Sequence, residues 1–185
     1  MATYYIKQTH IAETLISKTE AKAQLKLETD YVLEDDLIEM YINAAIVDCE
    51  NYTNTSINEA KFKIKTTKFE NNFKLNVSPV QTIDSIKYKD PAGEVQTLAV
   101  DKYELRPYDK YQSEIYFTDF DNIPTITEGT VEIEITTGYK AATLPMAIKQ
   151  AAMLTIGNFY ENRQDSVEAL PKASTNLLRS YRFYY

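Results

Sequence analysis

The sequence predicts an α+β fold: N- and C-terminal helices packed as a small bundle, with an antiparallel β module inserted between them. Three observations predict it. Apolar residues recur at helical spacing from about Glu34 to Tyr52, and again from about Pro145 to Arg163. Between Lys61 and Tyr139 the period falls to two, the spacing of half-buried strands. The strand-like stretch lies between the two helical ones, so residues 17–60 and 140–185 are read as one helical core. Residues 61–139 become the inserted module, and residues 1–16 an N-terminal arm.

The first helix is expected over residues 18–27. Ser17-Lys18-Thr19-Glu20 has the form of a capping box, in which serine and glutamate satisfy each other's orphan backbone donors. The second runs from about Glu34 to Tyr52. Leu37, Ile38, Tyr41, Ile42, Ala44, Ala45, Cys49 and Tyr52 fall on one arc, and Glu39, Asn43 and Glu50 fall opposite. Glu34, Asp35 and Asp36 open it, where the helix dipole favours anions. Cys49 lies within the apolar arc and reads as core. Asp48 falls near the same arc, either as a boundary residue reaching solvent or as a buried partner for an arginine such as Arg163.

In the middle stretch, Phe62 and Ile64, then Phe73, Leu75 and Val77, suggest a first strand pair around Glu70-Asn71-Asn72. Ile83, Ile86 and Tyr88 lead to Asp90-Pro91-Ala92-Gly93, whose proline and glycine suit a tight turn. Residues 95–105, 114–117 and 130–136 complete five or six strands. In the last, Val131, Ile133 and Ile135 alternate with Glu132, Glu134 and Thr136.

The helix after Leu144-Pro145 is apolar on nearly every side, from Met146 through Ala151 and Leu154 to Ile156, Phe159 and Tyr160. Such a helix needs cover all round. Either its own chain wraps it or a neighbouring subunit shares the task, and the second is the expectation. A polar linker over 164–168 leads to a last short helix with Leu177, Leu178 and Tyr181 on one side. The closing Arg182-Phe183-Tyr184-Tyr185 has the aromatic and arginine content of a docking surface. Its removal, from Arg179 onward, is expected to leave the fold intact. Charge is uneven: residues 27–60 hold nine acidic and no basic side chains, and residues 140–185 six basic and three acidic. Opposite faces of this kind suit head-to-tail contacts, and a solvated acidic helix face also explains the first half.

Composition removes several chemistries. One His (His10) and one Cys cannot make the usual zinc site, and a lone cysteine closes no disulfide within the chain. Four glycines provide no phosphate-cradling loop. A net charge of −7 argues against a generic nucleic-acid binder. The most apolar segment, residues 144–160, carries Lys149, Gln150 and Asn158 and is a poor membrane span. No catalytic residue, cofactor or metal is therefore assigned, and an enzyme is not expected.

Several segments, in order, resemble bacteriophage head–tail connector (adaptor) proteins of the type that sits beneath the portal. They are Thr19-Glu20-Ala21-Lys22 through Leu25 with Glu34-Asp35-Asp36-Leu37-Ile38 and Ala44-Ala45, then Tyr88-Lys89-Asp90-Pro91-Ala92-Gly93 and Tyr103, then Thr137-Gly138-Tyr139. Leu144-Pro145 with Ile148-Lys149-Gln150-Ala151, Phe159-Tyr160-Glu161-Asn162-Arg163 and the closing Leu170-Pro171, Leu177-Leu178 and Tyr181-Arg182 complete the set. Residues 1–16 match nothing in that pattern, and residues 109–127 depart from it.

The resemblance implies a homo-oligomeric ring, commonly a dodecamer, at the head–tail junction of a virion assembled in a host cytoplasm. The ring would dock on the portal protein and offer its other face to a stopper or tail-completion protein. DNA would pass through the lumen without sequence-specific binding. On this reading Ala151, Ile156, Phe159, Tyr160 and Arg163 form subunit core and lateral contact. Leu177, Leu178, Arg179, Tyr181, Arg182 and Phe183 dock on the portal or a neighbour. Asp35, Asp36 and Glu39 face the lumen, where like charge keeps a duplex from sticking. The alternative is a ligand- or carbohydrate-binding β module with helical flanks, suggested by the 15 tyrosines.

Overall fold

The computed structural model describes residues 3–10, 14–68, 70–108, 112–123, 131–163 and 171–184, with the side chains of residues 9 and 10 left aside. It divides into two compact units, one of strands and one of helices. The expected linker over 164–168, and residues 109–111 and 124–130, lie outside the described residues.

The strand unit takes in Met1–Ile11 and Glu59–Gly138. Its strands are β1 (Tyr4–His10), β2 (Ala60–Thr66), β3 (Asn72–Leu75), β4 (Val80–Lys89), β5 (Val95–Thr97), β6 (Tyr103–Pro107), β7 (Ser113–Phe117) and β8 (Val131–Thr137). A five-stranded sheet has the order β1-β2-β8-β4-β5, and a three-stranded sheet the order β3-β7-β6. Every pairing within them is antiparallel. Alternation on β8 decides which face is covered. Ile133 lies opposite Ile64 of β2 and Ile86 of β4, and these join Phe73, Leu75, Ile115 and Phe117 of the smaller sheet in one core. On the other face Lys63 reaches Glu132 and Glu134 at 3.2 and 3.4 Å, an opposite-charge pairing across neighbouring strands. The predicted turn after β4 forms: the Asp90 carboxylate accepts N–H bonds from Ala92 and Glu94, both 2.9 Å, and Gly93 takes φ 88°.

Two expectations for this unit are corrected. The suggested hairpin around residues 70–72 does not form, because β2 pairs with β1 and β8 whereas β3 pairs with β7. Alternation names the buried face of a strand and is silent about its neighbour. Residues 4–10, read from the sequence only as part of an N-terminal arm, form the edge strand β1 paired with β2.

The helical unit takes in Ala12–Asn58 and Tyr139–Tyr184. Its helices are α1 (Lys18–Leu25), α2 (Asp35–Thr53), α3 (Met146–Glu161) and α4 (Lys172–Leu178). The capping box of α1 is formed: the Glu20 N–H donates to Ser17 Oγ at 3.2 Å, and the Ser17 N–H donates to the Glu20 carboxylate at 3.0 Å. Asn54 stops α2 in the left-handed region at φ 54°, a conformation asparagine tolerates better than most residues. Helix α2 packs on α3, α3 on α4, and α1 on both α2 and α3. Ile38, Ala45 and Cys49 of α2 meet Ile148, Ala151 and Ile156 of α3 and Leu178 of α4 in one buried cluster. The α+β class with antiparallel sheets is thus observed.

Candidate functional site

The helical unit holds every residue to which the sequence assigned a role. On α3, Ala151 and Ile156 have no exposed surface and belong to the unit's own core. The Ala151 carbonyl accepts hydroxyl bonds from Thr155 and from Ser174 of α4, each 3.0 Å. Phe159 packs beside Tyr41 with ring centroids 5.9 Å apart. Ala151 and Ile156 thus brace α3 from within, while Phe159 is half-buried.

Tyr160 and Arg163 converge on one carboxylate. The Tyr160 hydroxyl donates to Glu34 at 2.7 Å, Arg163 Nη2 lies 2.7 Å from the other Glu34 oxygen, and the guanidinium sits 4.7 Å from the Tyr160 ring centre. The Tyr160 hydrogen bond and then Arg163 hold the Glu34 carboxyl below its ordinary pKa. Arg163 is therefore taken by Glu34 and not by Asp48, whose carboxyl burial pushes up. Spacing along α2 could not distinguish the two, because the reach of an arginine from α3 depends on how the helices cross.

The tail is corrected in part. Leu178 is fully buried and Phe183 is 3% exposed, so neither offers a surface. The Phe183 N–H donates to the Thr53 carbonyl at 2.7 Å, and Asn54 Nδ2 donates to the Phe183 carbonyl at 3.2 Å, fastening the end of the chain to the end of α2. Leu177 and Tyr181 are half-buried against the same core, while Arg179 and Arg182 are exposed. Arg182 lies over the Tyr52 and Tyr184 rings.

The acidic start of α2 carries less uncompensated charge than its sequence suggests. Lys22 of α1 lies 2.6 Å from Asp35, and Lys18 lies 3.1 Å from Glu39. Asp36 is exposed and makes no ion pair among the described residues.

What pattern-reading missed is the solvent side of the two long helices. Met40 (66% exposed), Ala44 and Val47 follow one another at four- and three-residue steps on α2, opposite its buried face. Ala44, expected on the core arc, is exposed. On α3, Met146 is 76% exposed, and Leu154 and Gly157 are half-buried on the same side. Met146 of α3 thus stays open to solvent. The signal was present in the sequence, since Met40 and Val47 are apolar at positions opposite Ile38, Ile42 and Cys49.

Among the described residues, no group of His, Cys, Asp or Glu is arranged to hold a metal ion, and no helix is long and apolar enough to cross a membrane. Two separately cored units with uncovered apolar helix faces make up a structural subunit of the kind that packs against other proteins. A family model described as Head completion protein matches residues 14–181, and the chain belongs to that family. Its members are structural head–tail proteins and not enzymes, which bears out the resemblance read from the sequence and the expectation that the chain is no enzyme. The chain is similar to a solved protein in the neck of an empty GTA particle computed with C6 symmetry, at 26% identity and TM-score 0.78, covering 98% of this chain and 96% of that one. It is similar, again at 26% identity with TM-score 0.77 and the same coverage, to a protein in the virion of a native gene transfer agent (GTA) particle. A protein in the neck of the native GTA particle computed with C12 symmetry matches at 25% identity and TM-score 0.73, over 98% and 96% of the two chains. No curated protein matches the sequence.

Proposed function

We propose that this head completion protein forms a cyclic ring in the neck of a tailed particle, at the head–tail junction. The ring docks below the portal, offers its far side to a stopper or tail-completion protein, and lets DNA through its lumen. The observation that carries this reading is the likeness, over 98% of the chain, to proteins in GTA necks treated with C6 and C12 symmetry. Docking on the portal falls to the exposed Arg179, Arg182 and Tyr184, with Leu177 and Tyr181 beside them. A net charge of −7 suits a wall along which a duplex slides without being gripped. Of the three carboxylates expected to face the lumen, Asp36 is the one not balanced by an α1 lysine.

The test is reconstitution on portal-bearing heads that lack the protein, imaged by electron microscopy. The expected result is one ring of added density on the portal axis, below the head. Density scattered over the capsid surface, or no binding at all, would overturn the proposal.

A further inference from the structure

Among the described residues, two helix faces of the helical unit carry apolar side chains open to solvent. On α2 the solvent stripe is Met40, Ala44 and Val47, the spacing with which one helix packs on another, and the exposed Val32 and Leu33 precede its first turn. On α3 the corresponding side carries the exposed Met146 and Gln150 with the half-buried Leu154 and Gly157. Gly157 serves no packing need of its own chain, because a Cβ placed there meets nothing within 4 Å. Glycine within a helix is unfavourable relative to alanine, and its use is to let another backbone come close.

We infer that, in the ring, the Met40–Ala44–Val47 stripe of one copy packs on the Met146–Leu154–Gly157 face of the next. This rests on the ring reading above and names the surfaces that close it. A closed ring of one chain with more than two members requires two different patches on each copy, whereas one self-complementary patch ends at a dimer. The chain supplies two different patches, on different helices. The exposed Asp36 lies on the same side of α2 as the stripe, where like charge opposes contact of that face with its own copy.

The test uses paired cysteines and a short bismaleimide on rings assembled on portal-bearing heads. Met40 lies near the start of α2, while Met146 and Gly157 mark the two ends of the α3 face. Met40→Cys with Met146→Cys reports a parallel crossing, and Met40→Cys with Gly157→Cys an antiparallel one. The native Cys49 is fully buried and stays silent. The expected result is a ladder of covalent multimers beyond the dimer from one of the two double variants, with single-cysteine controls giving none. If rings are seen by microscopy yet neither double variant yields the ladder, or the linker joins the chain to the portal or a tail protein instead, the inference is overturned and the ring reading stands. If the unmodified protein forms no ring on the heads, both fall. Val47→Glu adds a second reading: it should leave thermal unfolding unchanged and abolish ring formation, and rings formed normally by it would also overturn the inference.

Discussion

Cys49 illustrates how position on a helix governs reactivity. Burial pushes its thiol up to about 12, and the neighbouring Asp48 and Glu50 carboxylates add to the rise. The folded protein is expected to leave a thiol reagent such as dithionitrobenzoate unconsumed at pH 8, with one equivalent reacting after denaturation. Rapid reaction of the native protein would contradict the core assignment. Glu20 behaves in the opposite sense. A hydrogen bond from Lys149 at 2.5 Å, and then the Ser17 N–H, hold its carboxyl below the ordinary carboxylate value. A carboxyl lowered on folding contributes stability that is present above its unfolded pKa and lost as pH falls through the folded one. Melting temperature should therefore drop on acidification through that window, and Glu20→Gln should lose less of it than the parent. Equal acid sensitivity of the two proteins would remove Glu20 from the account. The core role of Cys49 could be read from helical spacing alone. The Glu34–Tyr160–Arg163 cluster could not, because Glu34 stands more than a hundred residues from the other two and meets them only when α2 and α3 cross.

At the scale of elements, the local signals were the legible ones. The capping box placed the start of α1, the turn residues placed the end of β4, and period-two alternation placed the inner face of β8. Strand partners were not legible: β2 and β3, adjacent in sequence, belong to different sheets. Helix α3 carries apolar residues beyond one covered stripe, and of the residues assigned to subunit core and lateral contact two lie in the unit's own core. Ala151 and Ile156 are core, and the uncovered side holds Met146 and Leu154. Two substitutions separate these roles. Ile156→Ala deletes a fully buried side chain and should cost about 2–5 kcal/mol in denaturant unfolding, whereas Met146→Ala should leave stability nearly unchanged. Ser17→Ala removes the hydroxyl's bonds to the Glu20 N–H and carboxylate and should cost about 1 kcal/mol. Similar midpoints for Ile156→Ala and Met146→Ala would mean that α3 is turned differently from the arrangement described.

For the molecule as a whole, the fold class and the family were legible because helical ends, a strand-rich middle and a set of short motifs occur in a fixed order. How the end of the chain serves the whole was not. Deleting Arg179 to Tyr185, expected from sequence to spare the fold, also removes Phe183 and its two hydrogen bonds to the end of α2. That deletion should lower the melting temperature. Arg182→Ala with Tyr184→Ala, both exposed, should leave melting unchanged and weaken attachment to portal-bearing heads. Tight attachment by that double variant would move docking off the tail.

The first strand and the final helices also fix an order of completion during synthesis. All the strands of the β unit exist once Thr137 has been made, with β1 waiting only for β2 to pair. Helices α1 and α2 are older than most of those strands, yet their inner faces stay bare until α3 and α4 follow. A nascent chain halted at Gly138 therefore displays Ile38, Ile42 and Cys49 to its surroundings. Closing the helical core is thus left to residues 139–184, the last to be made.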